Sequence, residues 1–150
     1  MELNNLFRCL NEQHKILGEY LDALLKHQKA IISGDNKKIE DTLKSIGIIL
    51  FNIGNCETLR QDIVQQISVK YSLKVNSNKL TDFIAEVDLH KLFSTKEIVK
   101  IQMSMKNLIL EIIKVNDQNK ILIKQASAFI KEFIAELTSA NRNVLVDRRY

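Results

Sequence analysis

The residue types that most often carry catalysis or bind metals are few in this chain, and their spacing matches no known site. A di-iron helical bundle needs a carboxylate three residues before a histidine. The positions three residues before the three histidines hold Asn11, Leu24 and Val87. The sequence has no His-Glu-x-x-His segment, no zinc-type cysteine spacing, no glycine-rich phosphate loop and no Gly-x-Ser-x-Gly elbow. It therefore predicts no enzyme activity and no metal or cofactor site.

Two polar pairs interrupt otherwise apolar helical patterns. Glu57 and Arg60 take heptad positions three residues apart, a spacing that allows a salt bridge on one helix. The simpler interpretation is a boundary ion pair whose long side chains reach water, and the alternative is a polar layer that fixes how the helices pack. Asn119 also takes a heptad position, and Asn116 lies three residues before it. Since a seam amide can specify register at a cost in stability, we predict that Asn119 is structural, with partner choice as the alternative.

The elements that hold these pairs are predicted to be long helices. The chain has no proline, four glycines and 45% apolar residues, so turns are few and a core can form. The glycine and acidic residue in Ser33-Gly34-Asp35-Asn36 predict a tight reversal between the first two helices. The predicted helices span about 2–32, 37–71, 79–91 and 95–138. The expected fold is all-α: residues 1–138 form one elongated antiparallel helical bundle of three long helices plus a short crossing helix, and 139–150 form a mobile tail.

The last helix carries the longest apolar pattern in the chain. Ile98, Met105, Ile112, Asn119, Ala126 and Phe133 stand seven residues apart, and Ile101, Leu108, Val115, Leu122 and Phe129 fill the companion positions. Any length of this helix that outruns the hairpin leaves an uncovered apolar stripe. Such stripes bind another helix or a second copy of the same chain.

Charge and hydropathy argue against several classes of partner, although a weaker alternative is that the basic face of the last helix binds acidic lipid or nucleic acid. The net charge is +4, and residues 94–150 supply the excess with ten bases against six acids. The lysines of this region fall at outward heptad positions, away from the aromatic side chains, which indicates a solvated face rather than a nucleic-acid site. No stretch of about 18 apolar residues predicts a membrane span. The first residues resemble no targeting signal, and Cys9 and Cys56 read as reduced thiols, so a cytoplasmic protein is expected.

Two segments resemble a known family. Val115 to Ile123, with Asn116, Asn119 and Leu122, resembles the Asn-x-x-Asn-x-x-Leu segment of FlgN-type flagellar export chaperones. Glu57 and Arg60 in the second helix are similar to the acidic-then-arginine segment of that family. The layout of hairpin, linker, short helix and long final helix is also similar over most of the chain.

The resemblance implies a cytoplasmic type III export chaperone. Such a protein binds the C-terminal helices of hook–filament junction proteins and keeps them soluble and export-competent, and contact with the export apparatus and a homodimer stay open. The family's partner-binding region lies towards the C-terminus. The matching positions here are Phe129, Ile130, Phe133, Ile134 and Leu137, extended by Val144, Leu145 and Val146. The alternative is a self-assembling coiled-coil scaffold or adaptor without chaperone activity.

Overall fold

The computed structural model describes the backbone of residues 2–147 and the side chains of residues 2–139. Within that part of the chain the protein consists of four helices and no strand, which confirms the predicted all-α fold. The helices are α1 (Glu2–Ser33), α2 (Asn36–Lys70), α3 (Leu80–Leu89) and α4 (Lys96–Asp147). None of them is long and apolar enough to cross a membrane.

The end of α4 is the main difference from the predicted helix boundaries. The sequence pattern placed the end of this helix at 138, but the helix continues to Asp147, so that boundary is wrong. Apolar periodicity stops after Leu137, yet no proline or glycine follows that would break the backbone hydrogen bonds. Helical backbone therefore continues beyond the apolar pattern. The mobility of 139–150 stays a prediction.

The turn between α1 and α2 makes the hairpin antiparallel. Gly34 has a φ of +67°, the left-handed conformation that glycine adopts without strain, and its amide donates to the Ile31 carbonyl at 3.1 Å. Asp35 caps α2, because its carboxylate accepts from the Lys38 amide at 3.1 Å. At the far end of the hairpin, the Lys70 ammonium donates to the Glu2 carboxylate at 2.8 Å.

Helix α4 packs on α1 and runs parallel to it. His14 pairs with Ser104 at 2.7 Å, and Gln28 donates to Gln118 at 3.2 Å, so both contacts join residues 90 positions apart. Most contacts between long helices are those of α1 with α2 and of α1 with α4. Since α1 is the central helix, α2 and α4 flank it and leave a groove between them on one face.

The core has two parts, one towards each end of the hairpin. The larger lies where α3 crosses the open end of the hairpin, and its most deeply buried side chains are Leu6, Leu10, Ile67, Phe83, Val87 and Ile98. The smaller lies towards the turn and contains Ala23, Leu24, Ile46, Ile112 and Val115. Both include residues of α4 up to Val115, so this part of α4 belongs to the bundle.

Candidate functional site

The Glu57–Arg60 pair forms a polar layer that reaches from the interior of the bundle to its surface. The Arg60 guanidinium is 4% exposed and donates to both carboxylate oxygens of Glu57, from Nε at 2.9 Å and from Nη2 at 2.6 Å. Nη2 also donates to the Asn78 carbonyl at 2.6 Å, and Gln13 of α1 donates to Glu57 at 2.9 Å. The layer thus connects α1, α2 and the segment before α3. Arg60 is buried and Glu57 lies at the boundary with water, and the hydrogen bonds of the pair to Gln13 and to the Asn78 carbonyl support the polar-layer alternative.

The electrostatics of this layer follow from its hydrogen bonds. Hydrogen bonds, chiefly those from Arg60, lower the pKa of the Glu57 carboxyl to about 2, from a usual value of 4.5. Hydrogen bonds from Gln61 and Gln13 contribute to this lowering of the pKa, whereas burial of the carboxyl opposes the shift. Among the described residues, nothing accepts a hydrogen bond from Arg60 Nη1. The carboxylate therefore stays ionised at neutral pH and compensates a buried guanidinium.

Asn119 forms a buried hydrogen bond between α4 and α1. Its side chain is 3% exposed, and its Nδ2 donates to the Leu24 carbonyl at 3.1 Å. Its Oδ1 is buried with no hydrogen-bond partner in the described part of the chain. Asn116, nearly one turn earlier, is half-buried. A buried amide that bonds to one backbone carbonyl of a neighbouring helix suits a role in register, since a shifted helix would leave the buried Asn119 Nδ2 without an acceptor.

Beyond the hairpin, no other helix covers the described side chains of α4. Neighbouring residues of α1 and α4 differ by 90 in residue number, so Ser33 at the end of α1 lies beside residue 123 of α4. From Ile123 to Ser139 every side chain is exposed. We call residues 123–139 the α4 extension. An amphipathic helix with no covering element exposes its whole apolar face to water.

Five of the eight predicted partner-binding residues lie on the α4 extension. Phe129 is 69% exposed, and the other four have about half of their surface exposed. These residues are Phe129, Ile130, Phe133, Ile134 and Leu137. The side chains of Val144, Leu145 and Val146 lie outside the described residues. The five described residues form one continuous apolar face at helical spacing.

A second apolar surface, which the sequence pattern did not identify, is the groove between α2 and α4. We call it the α2–α4 groove; its volume is about 660 Å³. Its lining includes Ile16, Leu17, Ile53, Arg60, Met105 and Ile109. Towards the turn it is flanked by exposed Leu50 on α2 and by exposed Ile113 on α4. The sequence does contain a pattern that could have indicated this groove. A second row of isoleucines runs beside the heptad seam at helical spacing: Ile109, Ile113, Ile123, Ile130 and Ile134.

The histidines and cysteines inside the bundle have structural surroundings. Buried His27 pairs through Nδ1 with Thr42 Oγ1 at 2.8 Å, and burial lowers its pKa. Cys9 is buried and Cys56 is half-buried, and both are free thiols. The residues with described positions contain no group of three or more His, Cys, Asp or Glu side chains that could hold a metal ion.

Comparison with known protein families gives a match over almost the whole chain. The family model described as FlgN protein matches residues 1–146, which include all of α1, α2 and α3 and almost all of α4. Comparisons with curated proteins and with solved structures gave no significant match. The family match includes both the polar layer and the α4 extension.

Proposed function

The chain belongs to the FlgN family of flagellar export chaperones, and on that premise we propose that it binds C-terminal helices of hook–filament junction proteins. Binding keeps these cargo proteins soluble and export-competent in the cytoplasm until they reach the export apparatus. The observation that carries the proposal is the exposed apolar face of the α4 extension. Its location agrees with the C-terminal partner-binding region that the resemblance implied.

The physical argument for this proposal is the free energy that is lost while the apolar face of the α4 extension stays exposed to water. Phe129 and Phe133 are large side chains with more than half of their surface in water. Covering each such residue contributes about 1 kcal/mol or more. An amphipathic cargo helix lying along the extension would cover this face and its own apolar face together. The cargo helix is thereby kept from pairing with other copies of itself.

The test compares two phenylalanines of nearly equal exposure. Phe129 on the extension is 69% exposed, and Phe51 on α2 is 70% exposed. We expect Phe129→Ser to weaken binding of the C-terminal region of a junction protein from the same genome by about tenfold or more. Phe51→Ser is the matched control and should leave binding unchanged. Isothermal titration calorimetry measures both, and equal affinities for wild type and Phe129→Ser would disprove the assignment of the surface.

The competing function is a self-assembling coiled-coil scaffold without chaperone activity. Its support is the length of α4, which carries heptad residues beyond the end of the hairpin. Sedimentation with and without the junction-protein region distinguishes the two functions. A tight homodimer that is indifferent to the added region would favour the scaffold, whereas a stoichiometric complex would favour the chaperone.

A further inference from the structure

Two unpartnered apolar surfaces occur in the same chain, and neither can cover the other within one molecule. The α2–α4 groove lies over the middle of α1. The α4 extension leaves the bundle at the turn end as part of one uninterrupted helix, so it points away from its own groove. An extension that enters such a groove must belong to a second molecule.

The α4 extension is long enough to fill the groove. Along α4 the residues that line the groove run from Gln102 to Ile109, and exposed Ile113 continues the apolar surface, which together makes about 12 residues or 18 Å. The α4 extension, residues 123–139, has about 17 residues or 25 Å. The groove ends against Leu80 and Thr81 of α3 and continues as exposed apolar surface towards the turn. A helix that enters from the turn end therefore runs antiparallel to α4 and fills the groove.

The charges also complement each other in this arrangement. Lys106 lines the groove, and Glu136 lies beside the apolar face of the extension, three residues after Phe133. Neither belongs to an ion pair among the side chains described. Suppose that the two α4 helices are antiparallel and that the middle of one extension lies in the middle of the other copy's groove. Each residue of one α4 then faces the residue of the other α4 for which the two residue numbers add up to about 240. Lys106 of one copy then lies near Glu136 of the other.

The residues near the midpoint fit the same arrangement. Residues close to 120 meet their own copies there, and α4 carries Asp117 and Lys120 at this point. Within one chain these two side chains are 3.7 Å apart, and both are largely exposed. Across the midpoint, the lysine of each copy can pair with the aspartate of the other, so like charges need not oppose each other.

We propose that two copies of this chain form an exchanged dimer, in which the α4 extension of each lies antiparallel in the α2–α4 groove of the other. The contact is the same in both directions, so it closes as a symmetric dimer and does not continue into a fibre. It covers both apolar surfaces when no other protein is bound. The dimer does not depend on the identity of any cargo.

The first test exchanges the charges of the proposed pair in the full chain. Lys106→Glu puts two like-charge contacts into the dimer, and Glu136→Lys does the same from the other side. Sedimentation velocity should show that each variant raises the dimer dissociation constant by about tenfold or more. The double variant Lys106→Glu, Glu136→Lys should return to within about threefold of wild type. The control is Lys100→Glu, because Lys100 lines a different pocket together with Phe7 and His14.

Three outcomes of this test would overturn the proposal. One is a wild-type chain that stays monomeric up to roughly 1 mM. The others are single variants that dimerise like wild type, and a double variant that stays as weak as the single ones. Each is measured without cargo, so the result is separate from the test of chaperone function.

The second test asks whether the helices are antiparallel. In a background of Cys9→Ala and Cys56→Ala, we expect Lys120→Cys to form an intermolecular disulfide readily, because residue 120 lies near the midpoint. Lys106→Cys alone should not cross-link, but should do so when Glu136→Cys is added. Cross-linking of Lys106→Cys to its own copy would place the two residues 106 side by side, as in a parallel pairing through this face, and that result contradicts the exchanged dimer.

Discussion

Removing the charge of Glu57 tests the polar layer that joins three parts of the bundle. Glu57→Gln keeps a side chain of nearly the same shape but removes the negative charge that compensates buried Arg60. The shift of the Glu57 pKa from 4.5 to about 2 corresponds to an upper bound of about 3.4 kcal/mol. The carboxylate side chain is 41% exposed, so solvent screening reduces this to about 1–2 kcal/mol. We expect the variant to lose that amount of stability at pH 7.

The pH dependence follows from the direction of the shift. The folded state binds the proton of Glu57 less tightly than the unfolded state. Its contribution is therefore complete above the unfolded pKa of 4.5 and is lost as the pH falls towards about 2. At pH 3 roughly 60% of it should be gone. The difference between wild type and Glu57→Gln should shrink accordingly.

Urea denaturation followed by circular dichroism at pH 7 and pH 3 measures this difference. The control is Glu40→Gln on the same helix, because Glu40 pairs with Lys44 and both side chains are 68% exposed. That variant should change stability by less than about 0.5 kcal/mol at either pH. The reasoning is refuted if Glu57→Gln is as stable as wild type at pH 7, or if the difference is the same at both pH values.

Two further predictions concern the turn and the seam, and both are measured by thermal or urea unfolding. Gly34→Ala should destabilise the protein by about 1 kcal/mol because Gly34 has a φ of +67°. Gly47→Ala, in an open helical position, should instead stabilise it by up to about 1 kcal/mol; the same sign for both variants would refute the turn argument. Asn119→Leu should raise stability by about 1 kcal/mol, because it removes a buried acceptor without a partner. Loss of folding in that variant would contradict the structural role of Asn119.

Much of the fold was predictable because helices are specified locally. The apolar spacing and Ser33-Gly34-Asp35-Asn36 predicted the hairpin, and α1 and α2 begin and end within about one residue of the expected positions. The end of α4 was not predictable in the same way. The apolar pattern indicates which part of a helix can pack against another surface. The backbone itself stays helical until a helix-breaking residue such as proline or glycine ends it.

For the polar residues as well, the sequence predicted the local contact but not the contacts between distant segments. The three-residue spacing of Glu57 and Arg60 predicted that they would meet. It did not show that Gln13 and the Asn78 carbonyl complete the layer, because those partners come from distant parts of the chain. Burial of Arg60 depends on that packing, and so does the choice between a boundary ion pair and a polar layer.

The sequence by itself determined the helices, the reversal at Gly34 and the apolar face of the last helix, because each depends on residues within a few turns of one another. Only the tertiary structure decided which part of that face is covered. Helix α4 lies parallel to α1 with an offset of 90 residues, so the hairpin protects α4 up to about Leu122 and leaves 123–139 in water. The same packing opens the α2–α4 groove. Coverage depends on the relative lengths and positions of several helices, and no single helix carries that information.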